Sequence, residues 1–279
     1  MKNPCLPIVL GLALAGATSI SAQTAASTPA PAPATAAPAP APADAPAYSW
    51  TLTPAFASQY MFRGVRLGGP SFEPSLEFDD GNLAVGVWSN FPLADKVDGQ
   101  SDPEFDFYGS YKQELIKDKL YFVPGYTIYT YPNADRNNGF YKATFEPNLA
   151  INITPIDNLT LTPKVYYDFV LKGATWEFTA AYTVPLKDAG TELDFTGTVG
   201  TYLWTDAVAE ADPSFKNWGD YYLVGVAMPF AVGKNGKITV GVAYTKGSNN
   251  FIKQGSDPKF QNSAAVGRGV VTIGYAYTF

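Results

Sequence analysis

The chain has 279 residues, a formal net charge of −6, one cysteine and no histidine. Without histidine, Ser-His and Asp-His catalytic arrangements are excluded, and an acidic chain lacks the basic face that nucleic-acid binding requires. The sequence contains neither a Walker-type phosphate loop nor an EF-hand spacing of acidic residues. We therefore expect no enzymatic activity, no cofactor, no metal ion and no nucleic-acid partner.

Residues 1–22 have the features of a secretory signal peptide. Lys2 precedes an apolar run from Leu6 to Ala17, and small residues follow it at Ser19 to Ala22. The run has about 12 residues, whereas a membrane-spanning helix needs about 20. The chain's one cysteine, Cys5, lies before the run, so the exported protein is expected to contain no disulfide.

Residues 23–47 consist almost entirely of Ala, Pro, Thr and Ser. Such a segment has nothing to pack into a core, and we expect a disordered, partly polyproline tether. Its role stays open between a spacer that spans the cell wall and an inert leader.

From residue 48 to residue 279 the chain is rich in Tyr, Phe, Gly and Thr, which favours β structure. The last predicted strand shows a period of two: Val271, Ile273, Tyr275, Tyr277 and Phe279 lie on one face, and small or polar residues lie on the other. A soluble sandwich also alternates, but an aromatic stripe ending on Phe is typical of a strand that faces lipid. Tyr275, Tyr277 and Phe279 resemble the assembly signal of outer-membrane proteins, which implies the barrel assembly machinery as a partner.

The same alternation recurs along the chain and predicts an all-β, transmembrane, antiparallel up-and-down β-barrel of twelve strands. Every second connection is tight, as hairpin turns are, and three of the others are long: residues 92–103, 205–217 and 246–264. The connections at 64–70 and 171–173 are short. The predicted strands lie near 49–63, 71–78, 83–91, 104–115, 120–131, 139–153, 159–170, 174–185, 192–204, 218–231, 238–246 and 265–279.

Strand parity also predicts which charged side chains point away from lipid. Eight acidic and five basic residues share the non-lipid face, which indicates a polar interior because charges are costly in lipid. That interior fits either a water-filled pore with a charged constriction or a plug of salt-bridged side chains. The predicted inward residues are Arg63, Glu73, Glu77, Asp106, Lys112, Glu114, Lys142, Glu146, Lys164, Asp168, Glu177, Asp194 and Arg268.

The segment Ser58-Gln59-Tyr60-Met61-Phe62-Arg63-Gly64 resembles the Ser-x-Tyr-x-Phe-Arg-Gly signature of the TorF-type porin family of Gram-negative bacteria. Residues 73–78 and 82–90 are similar to that family's second and third strands. The resemblance implies an outer-membrane location and a porin-like barrel. Arg63 would then either line the outer mouth or tie the first hairpin to Glu73 or Glu77.

Two functions follow as hypotheses. The first is an outer-membrane, porin-like channel for passive diffusion of small hydrophilic solutes or ions, with weak cation preference because acids outnumber bases inside. The second is a closed structural or adhesive barrel that acts through its outer loops, with residues 246–264 as the contact surface. Membrane lipids are partners in both cases, and the oligomeric state stays open.

Overall fold

The structure is a computed structural model that describes residues 48–95, 102–134, 142–170, 172–204, 217–247 and 267–279. The predicted signal peptide and tether, and nearly all of the loop at 246–264, lie outside these residues. Across the described ranges, no helix combines the length and the apolar character needed to traverse a membrane.

The described residues form twelve antiparallel barrel strands, which we number β1 to β12. Three of them run in two segments, and the breaks in β1 and β2 fall at Pro54 and at Glu73-Pro74, where proline supplies no N–H to the strand pairing. The strands are β1 Ser49–Thr53 with Ala55–Ala57, β2 Ser71–Phe72 with Ser75–Asp79, β3 Leu83–Pro92, β4 Glu104–Tyr111 with Gln113–Ile116, β5 Leu120–Thr130, β6 Ala143–Ile156, β7 Leu159–Asp168, β8 Gly173–Leu186, β9 Thr191–Trp204, β10 Asn217–Val232, β11 Gly236–Gly247 and β12 Arg268–Thr278.

The sheet closes on itself. Each strand pairs with the next, and β12 returns to β1 with Thr278 opposite Thr51 and Ile273 opposite Phe56. Closure gives the backbone N–H and C=O groups of the first and last strands hydrogen-bond partners, which lipid could not supply. The predicted barrel of twelve strands is therefore confirmed. Both described ends of the barrel lie on the side of the tight connections, which we call the turn side; the opposite side is the loop side.

The predicted alternation is also present. Outward-facing apolar side chains such as Val199, Val242 and Trp176 are exposed, while their neighbours in sequence point into the barrel. Aromatic side chains cluster at both ends of the outer wall, as in the two girdles of membrane barrels. On the turn side, rings of Trp50 and Phe78 pack 5.3 Å apart and those of Tyr277 and Phe279 6.2 Å apart. On the loop side the clustered rings include Phe72, Phe91, Phe105, Phe145, Tyr167 and Phe169.

Several tyrosine rings lie over a glycine on the adjacent strand. Tyr202 covers Gly219, and Tyr221 covers Gly200, each pair being directly opposite in the β9–β10 register. A Cβ at either glycine would collide with the ring. These pairs place aromatic surface flat against the inner wall and leave the hydroxyl groups free to reach polar partners.

The first connection departs from the prediction. Strand β1 ends at Ala57 rather than near residue 63, and the chain then folds into the lumen as a small hairpin, Tyr60–Phe62 paired with Val65–Gly68, which we call the inner hairpin. Arg63 and Gly64 form its two-residue turn with φ of 42° and 78°. Positive φ at both positions is the geometry of a type I′ turn, whose twist matches that of the flanking strands. The short connection predicted at 64–70 is thus part of an inward-folded loop.

Candidate functional site

The inner hairpin lies inside the loop-side half of the lumen. Tyr60, Met61, Phe62, Val65 and Leu67 are at most 5% exposed, although they lie on both faces of a two-stranded element. Burial on both faces requires the barrel wall around them. The inner hairpin is therefore a packed part of the barrel interior and not an outer loop.

Arg63 ties the tip of the inner hairpin to the wall at β6. Its guanidinium donates two hydrogen bonds to the Glu146 carboxylate, at 3.0 and 2.9 Å, and both side chains are buried. Tyr129 on β5 donates a third hydrogen bond to Glu146 at 3.0 Å. The guanidinium also lies 4.6 Å from the ring centre of Tyr166 on β7. A bidentate, charge-assisted pair of this kind fixes both position and orientation.

Gly64 ties the same tip to a different part of the wall. Its carbonyl oxygen accepts a hydrogen bond of 2.8 Å from the backbone N–H of Gly247, at the end of β11. A Cβ at position 64 would overlap backbone atoms of Gly247 and Lys246. Only glycine therefore fits, because this residue combines a positive φ with direct backbone contact. The inner hairpin thus leaves the wall between β1 and β2 and contacts both β6 and β11.

The base of the inner hairpin is held on the β3–β5 side. The Tyr60 hydroxyl donates to Glu104 at 2.5 Å, and Tyr131 donates to the other oxygen of the same carboxylate at 2.9 Å. The Tyr60 ring packs 5.9 Å from that of Trp88. The N–H of Gly69 donates to the carbonyl of Asp95, three residues after the end of β3, at 3.0 Å.

On the turn side of the inner hairpin, the inner wall carries half-buried polar side chains. Glu77 accepts a hydrogen bond from Tyr108 at 2.9 Å, and Asp194 accepts one from Thr183 at 2.7 Å. Glu177 accepts from two tyrosines, Tyr166 at 3.0 Å and Tyr221 at 2.7 Å. A wall of carboxylates and hydroxyls is compatible with water, whereas the side chains of the inner hairpin are buried.

The predicted inward residues separate into those at the level of the inner hairpin and those elsewhere. Arg63, Glu146, Lys164 and Glu177 come together, since Lys164 lies opposite Glu177 in the β7–β8 register. Arg63 does not form the local tie to Glu73 or Glu77 that was one of its two predicted roles. Glu73 accepts a hydrogen bond from Ser71, and Glu77 accepts one from Tyr108. The partner of Arg63 is Glu146, 83 residues away.

Four other predicted residues lie at the rims. Lys142 is exposed and donates to the carbonyl of Pro132, while Arg268 donates to that of Gly267. Glu114 is exposed and accepts the N–H of Asp118 in a tight turn. Lys112, near the turn side, lies over the ring of Tyr121.

Two more of the predicted residues are fully buried. Asp106 lies in the lumen wall behind the inner hairpin, and Asp168 accepts the N–H of Val170 near the loop side.

The prediction missed Glu104, although it has the same parity as Asp106 and stands two residues before it. It also missed the inward tyrosines, Tyr60, Tyr129, Tyr131, Tyr166 and Tyr221, whose hydroxyls meet the acidic residues. Their parity was available in the sequence, but alternation alone does not distinguish an inward tyrosine from a lipid-facing one. Within the described ranges, no group of three or more Asp, Glu, His or Cys is arranged to hold a metal ion.

These features define a class: a closed, twelve-stranded antiparallel barrel of outer-membrane type, with a loop folded into its lumen. The chain belongs to a family described as "Bacterial protein of unknown function (Gcw_chp)", whose sequence model matches residues 41–183. No curated protein sequence matches the chain.

Several solved barrels are similar in fold. The NanC porin has 11% sequence identity and a TM-score of 0.49, covering 82% of this chain and 98% of its own. The KdgM porin has 12% identity and a TM-score of 0.47, covering 83% and 99%. OccAB3 from Acinetobacter baumannii has 9% identity and a TM-score of 0.43, covering 85% and 66%. At these identities the likeness concerns fold alone.

Proposed function

We propose that this protein is an outer-membrane, porin-like channel for passive diffusion of small hydrophilic solutes or ions, and that the inner hairpin determines the diameter of its pore. One observation carries the proposal: a loop folds into the lumen and is tied to the far wall by the Arg63–Glu146 pair, next to a half-buried polar wall. A loop held across the interior reduces the cross-section of a channel at that level, and such a constriction is where a channel selects its solutes.

The charge of the lumen supports a preference for cations. Glu177 and Asp194 are half-buried carboxylates that face the lumen on the turn side of the inner hairpin. On the turn side, Glu77 adds a further carboxylate. A path lined mainly by acids lowers the energy of a passing cation and raises that of an anion.

The location and the partners belong to the same proposal. A closed barrel with an apolar, aromatic-edged outer wall fits the outer membrane and its lipids, and the ring of Phe279 stacks on Tyr277 at the end that would present the assembly signal. The TorF-type resemblance of residues 58–64 falls on the inner hairpin and its turn. If that resemblance is one of ancestry, the signature marks the loop that narrows the lumen.

A second function, the closed structural or adhesive barrel, is favoured by a different observation. The inner hairpin is buried on both faces and its tip is hydrogen-bonded on two sides of the wall. A loop packed this tightly could fill the lumen as a permanent plug. In that case the outer loops would carry the function.

Single-channel recording in a planar bilayer separates the two functions. The sharpest comparison is between the natural barrel and a variant in which residues 59–69 are replaced by Asn-Gly. This closure is feasible because Ala57 and Ser71 are already paired across β1 and β2. Folding of both proteins is verified beforehand by the heat-dependent shift in gel mobility.

The channel proposal predicts discrete steps from the natural barrel and several-fold larger steps from the variant. Silence from a folded natural barrel, with conduction only in the variant, would favour the plug. For selectivity, Glu77→Lys should shift the reversal potential toward anions, whereas Glu114→Lys at the rim should shift it less. Equal reversal potentials for the natural barrel and Glu77→Lys would refute the assignment of the path.

A further inference from the structure

A second polar cluster lies behind the base of the inner hairpin, on the inner wall formed by β3 and β4. Glu104 and Asp106 stand two residues apart on the inward face of β4, and Asn90 on β3 is directly opposite Glu104. All three are at most 1% exposed. Directly opposite residues of an antiparallel pair point to the same face, so the Asn90 amide and the Glu104 carboxylate share one enclosed space.

This cluster has polar atoms that the described part of the protein leaves without partners. Both polar atoms of the Asn90 amide make no hydrogen bond to any described residue, and the Asp106 carboxyl group faces that of Glu104, with which it can hydrogen-bond only if one of the two is protonated. Glu104 differs, because each of its oxygens accepts from a tyrosine hydroxyl. Buried polar atoms in native proteins are nearly always satisfied, and an unsatisfied buried carboxylate is among the most costly. The pattern therefore points to a partner that binds between Asn90 and Asp106.

The charges of the groups around this cluster indicate that the partner is positively charged. Arg63 is committed to Glu146 by two hydrogen bonds, and Lys164 lies opposite Glu177 on the other side of the lumen. Among the described residues, neither Glu104 nor Asp106 has a salt bridge, yet the two carboxyl groups interact electrostatically with each other. Two adjacent buried carboxylates repel unless a shared proton or a bound cation lies between them, and of these two only a cation can also take the Asn90 amide oxygen as a ligand.

We propose that Asn90, Glu104 and Asp106 form a binding site for one hard cation, with calcium as its best match. The three side chains offer five oxygen atoms, four from carboxylates and one from an amide, which is the donor set that calcium prefers. Calcium accepts an irregular shell that water completes, whereas magnesium demands a near-octahedral one. Tyr60 bonds to Glu104, so an ion held here would brace the base of the inner hairpin against the wall.

The inference goes beyond the channel proposal and does not depend on it, since its test requires no conduction. The barrel is folded in detergent without lipopolysaccharide, treated with EDTA to remove bound metal ions, and then titrated with CaCl₂. Two quantities are measured: the temperature of the heat-dependent gel shift, and bound calcium by equilibrium dialysis. We expect one calcium per barrel and a shift temperature that rises with calcium to saturation.

Three variants sharpen the test. Asp106→Asn should abolish both the binding and the calcium-dependent rise. Asn90→Asp adds a third carboxylate and should lower the half-saturating calcium concentration at least about threefold, as expected when the charge of a calcium site increases. Asp188→Asn, an exposed carboxylate in a turn, is the matched control and should respond as the natural protein does.

Two outcomes would overturn the proposal. The first is an equal response to calcium in the natural protein and in Asp106→Asn, or no response in either. That result would mean that the carboxyl groups share a proton or bind only water. If Asp106→Asn fails to fold, Asn90→Asp decides: an unchanged half-saturation concentration would exclude the ion from this site. Conductance plays no part in either outcome, so failure here leaves the channel proposal standing.

Discussion

Neutralising Glu146 tests whether the Arg63–Glu146 pair holds the inner hairpin in the lumen. In Glu146→Gln the side chain keeps its shape but loses its charge, and Arg63, which is 5% exposed, remains buried without a carboxylate. Removing one partner of a buried ion pair costs about 3–5 kcal/mol, mainly because the other charge is left uncompensated. The hairpin can relieve this cost by undocking, whereas the barrel strands stay paired.

The magnitude follows from the same figure. If the whole penalty falls on docking, the ratio of undocked to docked hairpin rises by between about two and three and a half powers of ten, at about 1.4 kcal/mol per tenfold. A retained hydrogen bond from Arg63 to the glutamine oxygen would place the effect at the lower end. Both the natural protein and the variant should show the same heat-dependent gel shift if only the hairpin moves.

Thiol labelling measures docking directly. Cys5 is the chain's one cysteine, so a preparation of residues 23–279 contains none. Val65→Cys places a thiol on the inner hairpin at a position that is 1% exposed, where labelling requires undocking. The labelling rate of Val65→Cys should rise at least about 100-fold when Glu146→Gln is added, in line with the lower figure above.

An unchanged labelling rate in a folded Val65→Cys, Glu146→Gln protein would refute the reasoning, because it would show that packing alone keeps the hairpin in place. Glu77→Gln is the matched control. This carboxylate also faces the lumen but bonds to Tyr108 on the wall, so its loss should leave the labelling rate as it was.

Three further predictions concern the turn, the wall and the rim. Gly64→Ala places a Cβ against the β11 backbone and forces a left-handed residue, so the Val65→Cys labelling rate should rise at least about tenfold, from a conformational cost of about 1–2 kcal/mol. Val199→Arg on the lipid face should lower the free energy of unfolding of the barrel by about 2–4 kcal/mol, measured by urea titration of the barrel in lipid vesicles. Thr198→Arg, which faces the lumen, should lower it less, and equal losses would contradict the assignment of faces. The N–H groups of Leu83 and Asn82 donate to Asp80 and hold the pKa of its carboxyl below the usual value. That stabilisation is present above the unfolded-state pKa and is lost as pH falls through the folded one, so Asp80→Ala should lower the unfolding temperature at pH 7 and match the natural protein in strong acid.

The number of strands and the faces of the wall could be predicted because both depend on local regularities. A strand that spans lipid alternates, as β12 does with Val271 and Ile273 outward and Thr272 inward, and tight connections follow every second strand, as between β10 and β11. The parity that placed Asp106, Glu146 and Glu177 inside the barrel rests on the same period of two. These statements required no knowledge of which strands face each other across the lumen.

The course of the chain after Ala57 could not be predicted in this way. Tyr60 and Phe62 continue the alternation of β1, so the sequence favours a longer strand, and only the closed barrel provides a surface that can bury both faces of the inner hairpin. The partners of its tip are distant in sequence: Glu146 lies 83 residues from Arg63, and Gly247 lies on the penultimate strand.

The sequence by itself therefore determined the class of barrel, its faces and the polar character of its interior, because alternation and turn spacing act between neighbouring residues. The tertiary structure decided what occupies that interior. The diameter of the closed sheet and the stagger of its strands determine which side chains meet across the lumen, and no period along the chain encodes that distance.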